Sequence, residues 1–355
     1  MAFDEPGPNG ELPGAALDFS MNPVPLSLCI GPYDHTRDLT EGLVAVPGVR
    51  LTTFSLPIEE TFYRFLHHRE WDVSELSFAK YVSLRASGDT SLIALPIFPS
   101  RVFRLSSIYV RRADQARFQN LANLRGARVG IPEWAQTAAV YTRGYLQHEA
   151  GVPLASVDWT QAGVNEAGRK EKVALSLPQG IRLTARTDAS LNDLLIAGEL
   201  DAIFSARPPK GLTAPASGGE APLLRLLSNS RALEAAYFDK TGVFPIMHAI
   251  VLRQVVLDAN PWIAMNLMQA FEQAKANAIE RVADITASHT PLPWVSDLMR
   301  EAQARFGADP FPYGVEDNRA TLEAFCKFAF EQGVARRLIA PEELFPKSTL
   351  GRFRV

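Results

Sequence analysis

Cysteine is almost missing from this sequence: Cys29 and Cys326 are the only two in 355 residues. Each lies in an apolar setting, so two buried thiols are expected rather than a disulfide, and one bridge could not staple a chain of this length. A dominant charge is missing too. Lys and Arg number 36 against 39 Asp and Glu, a net charge of −3, which gives no global pull toward nucleic acid or an anionic membrane. Basic residues do not interleave with aromatics as a nucleic-acid surface would require. No apolar run approaches the ~20 residues that cross a bilayer. The opening "MAFDEPGPNGELPGAALDFSMNP" has acids and prolines where a signal peptide needs a basic region and an apolar core. These absences point to a cytoplasmic protein without nucleic-acid or membrane partners, with residues 1–24 as a poorly packed N-terminal arm.

Several chemistries lose support the same way. There is no GxGxxG after a strand, no GxxxxGK[ST], no HExxH, no CxxC and no GxSxG. A dinucleotide fold, a P-loop, a zincin centre and an α/β-hydrolase nucleophile are therefore not expected. The chain also lacks internal repeats, heptads and low-complexity tracts.

What is present is an ordinary globular balance, 47% apolar and 21% charged, with short strand-like runs alternating with helix-period segments. "LSLCI", "VRLTTFSL", "WDVSEL" and "SLIALPIF" have strand character. "IEETFYRFLHH" has helical spacing, with Phe62, Phe65 and Leu66 on one face, and "SFAKYVSLRASG" is a helix closed by Gly88. A second such series begins near residue 106. Alternation of this kind argues for α/β with a largely parallel sheet. "GLTAPASGGEAP" is a candidate mobile loop. In the long helix after "FPIMHAIVLRQVV", Trp262, Met265, Met268, Phe271, Ala274 and Ala278 form a core stripe. Two lobes are expected, residues 25–105 with 245–355 and residues 106–244, joined by crossovers near 99–109 and 243–250. A ligand would sit in the cleft between them.

Polar residues gather at the ends of these runs. "GPYDHTRDLTEG" carries Tyr33, Asp34, His35, Thr36 and Arg37 and is either a polar turn capped by Asp34 or one wall of a site. "DVSELSFAK" sets Glu75 directly after apolar residues, deeper than a solvated carboxylate should sit, with Ser77 at a helix N-cap. "FPSRVFR" places Arg101 and Arg104 on the first crossover, where guanidinium forks would clamp a carboxylate or make an interlobe salt bridge. In "GIPEWAQTAAVYTRG", Gln136 and Thr137 fall in a helix's first turn, a ready anion site. Trp134 there offers a flat face to a ligand or simply packs the lobe, and Arg143 reads as a surface charge. His248 is the one histidine inside an apolar strand, either a satisfied core residue or a cleft residue.

The stretches "GPYDHTRDLTEG", "DVSELSFAKYVSLRASGD", "IALPIFPSRVFRLSSIYV" and "GARVGIPEWAQTAAVYTRGYL" resemble the 4,5-dihydroxyphthalate decarboxylases of bacterial phthalate breakdown, and the similarity runs through nearly the whole chain after the arm. The resemblance implies an α/β, two-lobed type II periplasmic-binding-protein-like fold with a ligand cleft between the lobes, related in fold to thiamine-pyrimidine synthases. It implies non-oxidative decarboxylation of 4,5-dihydroxyphthalate, or a closely related hydroxylated aromatic acid, to protocatechuate and carbon dioxide. The departing carboxylate lies para to a ring hydroxyl, so the site needs a base near the phenol, an acid near the ring carbon and cationic clamps for the carboxylate that stays. His35, Glu75 and His248 are the candidates for proton transfer. Tyr33, Arg37, Ser77, Arg101, Arg104, Trp134, Gln136, Thr137 and Arg207 are the candidates for holding substrate. No cofactor is expected. His35, Glu75 and His248 would also make a two-histidine, one-carboxylate metal set, but their spacing is too wide to form a motif, and no metal is expected. The alternative is a non-catalytic solute-binding protein for an aromatic acid, which would normally carry an export signal. A pyrimidine-synthesis relative would be expected to carry a cysteine-rich stretch that this chain lacks. The expected partner is a small aromatic dicarboxylate, and a homo-oligomer is left open.

Overall fold

The computed structural model describes residues 22–216 and 218–351, so the expected arm lies outside the described residues up to residue 21. The chain opens with β1 (Val24–Cys29), α1 (Asp34–Thr40), β2 (Val49–Phe54), α2 (Ile58–His68), β3 (Val73–Ser77), α3 (Phe78–Ala86) and β4 (Leu92–Arg101). It crosses to a second lobe with β5 (Ile108–Arg111), β6 (Arg128–Ile131), α4 (Thr137–His148), β7 (Asp158–Gly163), β8 (Arg182–Ser190), α5 (Leu191–Ile196), β9 (Ala202–Phe204), β10 (Leu223–Arg225) and α6 (Ser230–Thr241). β11 (Ile246–Arg253) then returns to the first sheet, followed by α7 (Gln254–Ala259), α8 (Ile263–Ala283), α9 (Val295–Phe306) and α10 (Arg319–Glu331).

The first sheet runs β2-β1-β3-β11-β4 and the second β10-β5-β9-β6-β7-β8. β2, β1 and β3 are parallel, and β11 enters antiparallel between β3 and β4. In the second sheet β9, β6, β7 and β8 are parallel, β5 runs against them, and the edge strand β10, antiparallel to β5, runs with them again. Each sheet is thus mixed, with helices joining its parallel strands except β7 and β8, which residues 164–181 connect without a helix. β3 is buried at every position, which is why its sequence has no polar alternation.

One continuous core draws on both lobes, with a smaller cluster around Leu191, Leu195 and Ile203 under α5. In α8 the stripe is buried at Met268, Phe271, Ala274 and Ala278, while Trp262 and Met265 are only half-buried. Helix α3 is covered on nearly every side, between the first sheet and the helices α4 and α10. No helix among the described residues is long and apolar enough to cross a membrane.

Candidate active site

The site is built outward from Glu75, in the middle of β3 and with no exposed surface. A buried carboxylate must find partners, and this one has three. Its Oε2 accepts the Gly31 N–H at 2.9 Å. Its Oε1 accepts the Tyr33 hydroxyl at 2.5 Å and lies 2.6 Å from His248 Nδ1. Gly31 is needed because an added Cβ would come within 2.9 Å of the Tyr33 ring. Burial, reinforced by the Glu75 charge and hydrogen bond, pushes the Tyr33 hydroxyl far above its ordinary range, so it stays a donor.

His248 is on β11 opposite Ser77 of β3 and Ser100 of β4, and the pairing with β4 slips on both sides of it. Such irregularities re-aim a side chain. With Nδ1 facing a carboxylate, the ring proton belongs on Nδ1 and Nε2 is left over. Among the described residues Nε2 has no hydrogen-bond partner, and the ring lines a cavity between the lobes. Phe62 packs edge-on against the ring at 4.9 Å.

That cavity, of about 290 Å³, is bounded on the first lobe by Ile58, Glu59, Phe62, Ser77 and Lys80, and on the crossovers by Arg104, Met247 and His248. The second lobe contributes Gln136, Thr137 and Ala138 at the start of α4, Arg169 and Lys172 from the segment after β7, and Ala206, Arg207 and Pro208 after β9. Ser77 does not cap α3 with its side chain. Its Oγ lies 3.0 Å from Thr137 Oγ1, which also accepts the Ala79 N–H at 3.1 Å, so the two lobes touch at the cavity floor. Gln136 has a buried amide oxygen with no partner among the described residues. Arg104 directs Nε to the Met247 sulfur at 3.3 Å.

Five cationic side chains line this space, Lys80, Arg104, Arg169, Lys172 and Arg207, against Glu59 on the wall and the fully buried Glu133 behind it. Glu133 is in ion pairs with Lys80 at 2.9 Å, Arg169 at 2.7 Å and Lys172 at 3.2 Å. Burial alone would raise the Glu133 carboxyl, but these three cations hold it below the usual range. Burial lowers the Lys80 ammonium despite Glu133, whereas the half-buried Arg169 guanidinium is raised on balance by Glu133 and Glu59. Gln161 anchors the Arg169 segment by donating to the Pro132 and Arg169 carbonyls at 2.8 and 3.0 Å. An open groove of about 1130 Å³ beside α6 and α9 is larger, but its Arg231 and Arg305 are already paired with Glu301 and Asp239.

The structure therefore gathers Ser77, Arg104, Gln136, Thr137, Arg207 and His248 around one cavity, with Glu75 and Tyr33 behind His248. It does not bring the other candidates there. "DHTRDLT" is helix α1 rather than a turn, and Arg37 on it pairs with Asp34 at 3.1 Å, largely exposed. His35 stands behind Tyr33, its ring 5.4 Å from the Tyr33 ring and 5.0 Å from that of Phe311. Burial lowers its pKa against a hydrogen bond to Pro99, and its Nε2 is buried without a partner. Arg101 donates to the carbonyls of Pro312 and Phe244 at 3.1 and 2.9 Å and lies over the Phe244 ring, a structural tie in place of a carboxylate clamp. Trp134 is fully buried, its indole N–H on the Gln332 carbonyl at 2.7 Å, so it packs the lobe. Arg143 is no surface charge: it is completely buried with its guanidinium 3.9 Å from the Trp134 ring, and burial lowers it to about 9. Lys80, Arg169, Lys172 and Glu59 are the wall residues that the sequence did not single out. Among the described residues no three His, Cys, Asp or Glu side chains are gathered as a metal-binding group.

No family model matches the chain. It is 33% identical over 336 residues to the 4,5-dihydroxyphthalate decarboxylase of Comamonas testosteroni, covering 94% of this chain and 100% of that one. A relative of the same name from Pseudomonas putida is 37% identical over 194 residues, 54% of this chain and 74% of its own. Of solved structures, the periplasmic aliphatic sulphonate-binding protein of Escherichia coli matches over 92% of this chain and 99% of that one, with a TM-score of 0.51 and 12% identity, a likeness of fold alone. The alkanesulfonate-binding protein of Xanthomonas axonopodis pv. citri, bound to MOPS, gives a TM-score of 0.49 at 13% identity, covering 91% and 98% of the two chains. A relative matched along its entire length at one-third identity places this chain in the 4,5-dihydroxyphthalate decarboxylase family.

Proposed function

We propose that the chain is a carboxy-lyase that converts 4,5-dihydroxyphthalate, or a closely related hydroxylated aromatic acid, to protocatechuate and carbon dioxide in the cytoplasm. The observation that carries this reading is a single interlobe cavity in which an imidazole edge, backed by a buried carboxylate, faces a wall rich in cations. A dianionic ring suits that wall, and a volume of about 290 Å³ suits one substituted ring. The carboxylate that stays is held by Arg169 and Lys172. The Gln136 amide oxygen accepts a hydrogen bond from a ring hydroxyl. The departing carboxylate lies toward Phe62 and Met247, where loss of solvation favours a neutral product.

In the reaction, the hydroxyl para to the departing carboxylate feeds electron density to the ipso carbon, and the neighbouring cations favour its ionisation, its proton passing to solvent. Protonated His248 transfers its Nε2 proton to that carbon, forming the new C–H bond. The bond to the carboxylate then breaks, its electron pair restores the aromatic ring as the phenolate, carbon dioxide leaves, and solvent returns one proton to the phenolate and one to His248. Glu75 acts through His248 as a positioning residue, fixing the imidazole's tautomer and direction.

The test is to incubate chelator-treated protein with 4,5-dihydroxyphthalate and follow carbon dioxide and the ultraviolet spectrum. Turnover is expected without added metal, and His248→Gln should lower kcat by roughly 10²–10⁴-fold while leaving phthalate binding intact. Tight binding by the native protein without turnover would replace the enzyme reading with the solute-binding one. Activity that vanished with chelator and returned with a divalent cation would overturn the metal-free mechanism.

A further inference from the structure

Arg169 is divided between two carboxylates. Its Nε donates to Glu133 at 2.9 Å and its Nη2 lies 2.7 Å from the same carboxylate. Its remaining nitrogen, Nη1, donates to Glu59 Oε1 at 3.0 Å, and Arg207 approaches that same oxygen at 3.8 Å. The two acids differ in freedom. Glu133 has no exposed surface and is fixed from three sides. Glu59 lies in the first turn of α2 with 40% of its side chain exposed, and it is the only carboxylate on the cavity wall among the described residues. A flexible, half-exposed glutamate can turn into solvent at small cost, whereas two carboxylates on one guanidinium edge repel each other.

We propose that Glu59 is a built-in stand-in for the substrate's carboxylate, holding Arg169 until a carboxylate of an aromatic dicarboxylate takes Nη1 and displaces it. This rests on the reading of the cavity as a site for such an acid. Glu59 keeps Arg169 aimed across the lobes before substrate arrives, and it makes binding an exchange of one carboxylate for another. The substrate's second carboxylate, drawn to the remaining cations, supplies the surplus that drives the exchange.

The experiment is a calorimetric double-variant cycle with phthalate, which has both carboxylates but lacks the ring hydroxyls that drive turnover. Glu59→Gln should tighten phthalate binding by roughly threefold to tenfold, and Glu59→Asp, too short to reach Arg169, should change it in the same direction. Arg169→Gln should weaken binding, and in that background Glu59→Gln should bring no gain. Weaker or unchanged binding in Glu59→Gln, or a gain that persists without Arg169, would overturn the proposal. Because phthalate binding is measured apart from turnover, failure of the native protein to decarboxylate 4,5-dihydroxyphthalate would sink the enzyme reading and leave this result standing.

Discussion

At the scale of single residues, the arrangement around Glu75 separates the group that touches substrate from the one that holds it. Glu75 has no surface in the cavity, so its influence on the reaction passes through His248 Nδ1. Glu75→Gln keeps the shape but puts an amide where a carboxylate was, and an amide N–H facing Nδ1 would force the ring proton to Nε2. Turnover should fall by about 10–100-fold with KM nearly unchanged. In combination with His248→Gln, the second substitution should add almost nothing, because the two act as one unit. Additive losses, measured as kcat on 4,5-dihydroxyphthalate, would mean that Glu75 acts on the substrate by another route. His35 stands outside this unit, with its ring against Phe311, so a His35 substitution should act through the packing of Tyr33 rather than on the chemical step.

At the scale of elements, the junction between β6 and α4 helps shape the cavity, because it carries Glu133 behind the wall and Gln136 and Thr137 on its lining. Removing the Glu133 charge leaves Lys80 buried without its counter-ion, and Glu133→Gln should destabilise the protein by about 3 kcal/mol at neutral pH. The sign of its pH dependence follows from the depressed carboxyl. Its contribution is complete above the ordinary value of 4.5 and is lost as pH falls through the lower folded value. The difference between native and variant in urea unfolding should therefore be full at pH 7 and shrink below about pH 4.5; a deficit independent of pH would assign the loss to packing. This junction also shows where the sequence was legible. A strand running into a helix made Gln136 and Thr137 candidates through the helix's exposed N–H groups, Ser77 and Arg104 were visible as polar residues at the ends of apolar runs, and His248 as the one histidine inside an apolar strand. Lys80 was hidden because α3 is covered on nearly every side, so its pattern has no polar face to betray a functional one. Arg169 and Lys172 stand in "NEAGRKEK", which has the composition of a solvated loop, and tertiary anchoring, by Gln161 at the backbone and by Glu133 at the cations, makes it a wall. Arg101 and Arg143 show the converse. A guanidinium cushioned on an aromatic ring has the same local sequence as one that clamps a ligand.

At the scale of the whole molecule, the C-terminal helix α10 packs on α3 of the first lobe and α4 of the second, so the lobes are tied together behind the cavity as well as through the ion pairs inside it. Gln332, just past α10, accepts from Arg143 Nε at 2.8 Å and donates to the Val140 carbonyl at 2.9 Å, both on α4. The two helices also meet at Gly144, where an added Cβ would lie 2.4 Å from the Phe328 ring. Phe328 has little room to yield: His148 stacks on it at 5.2 Å and the Tyr141 ring stands edge-on at 6.5 Å. Glycine within a helix costs about 1 kcal/mol relative to alanine, so Gly144→Ala would stabilise an isolated α4. Overpacking a filled core costs about 1–3 kcal/mol, and here that term should win. Gly144→Ala is expected to lower the unfolding free energy by up to about 2 kcal/mol net. The packing explanation then requires that trimming the ring reverse the sign: in a Phe328→Leu background, Gly144→Ala should become neutral or stabilising, as helix propensity alone dictates. Chemical denaturation of the four proteins of this cycle decides the matter. A penalty for Gly144→Ala that survives removal of the ring would place the cost in α4 itself rather than in its contact with α10.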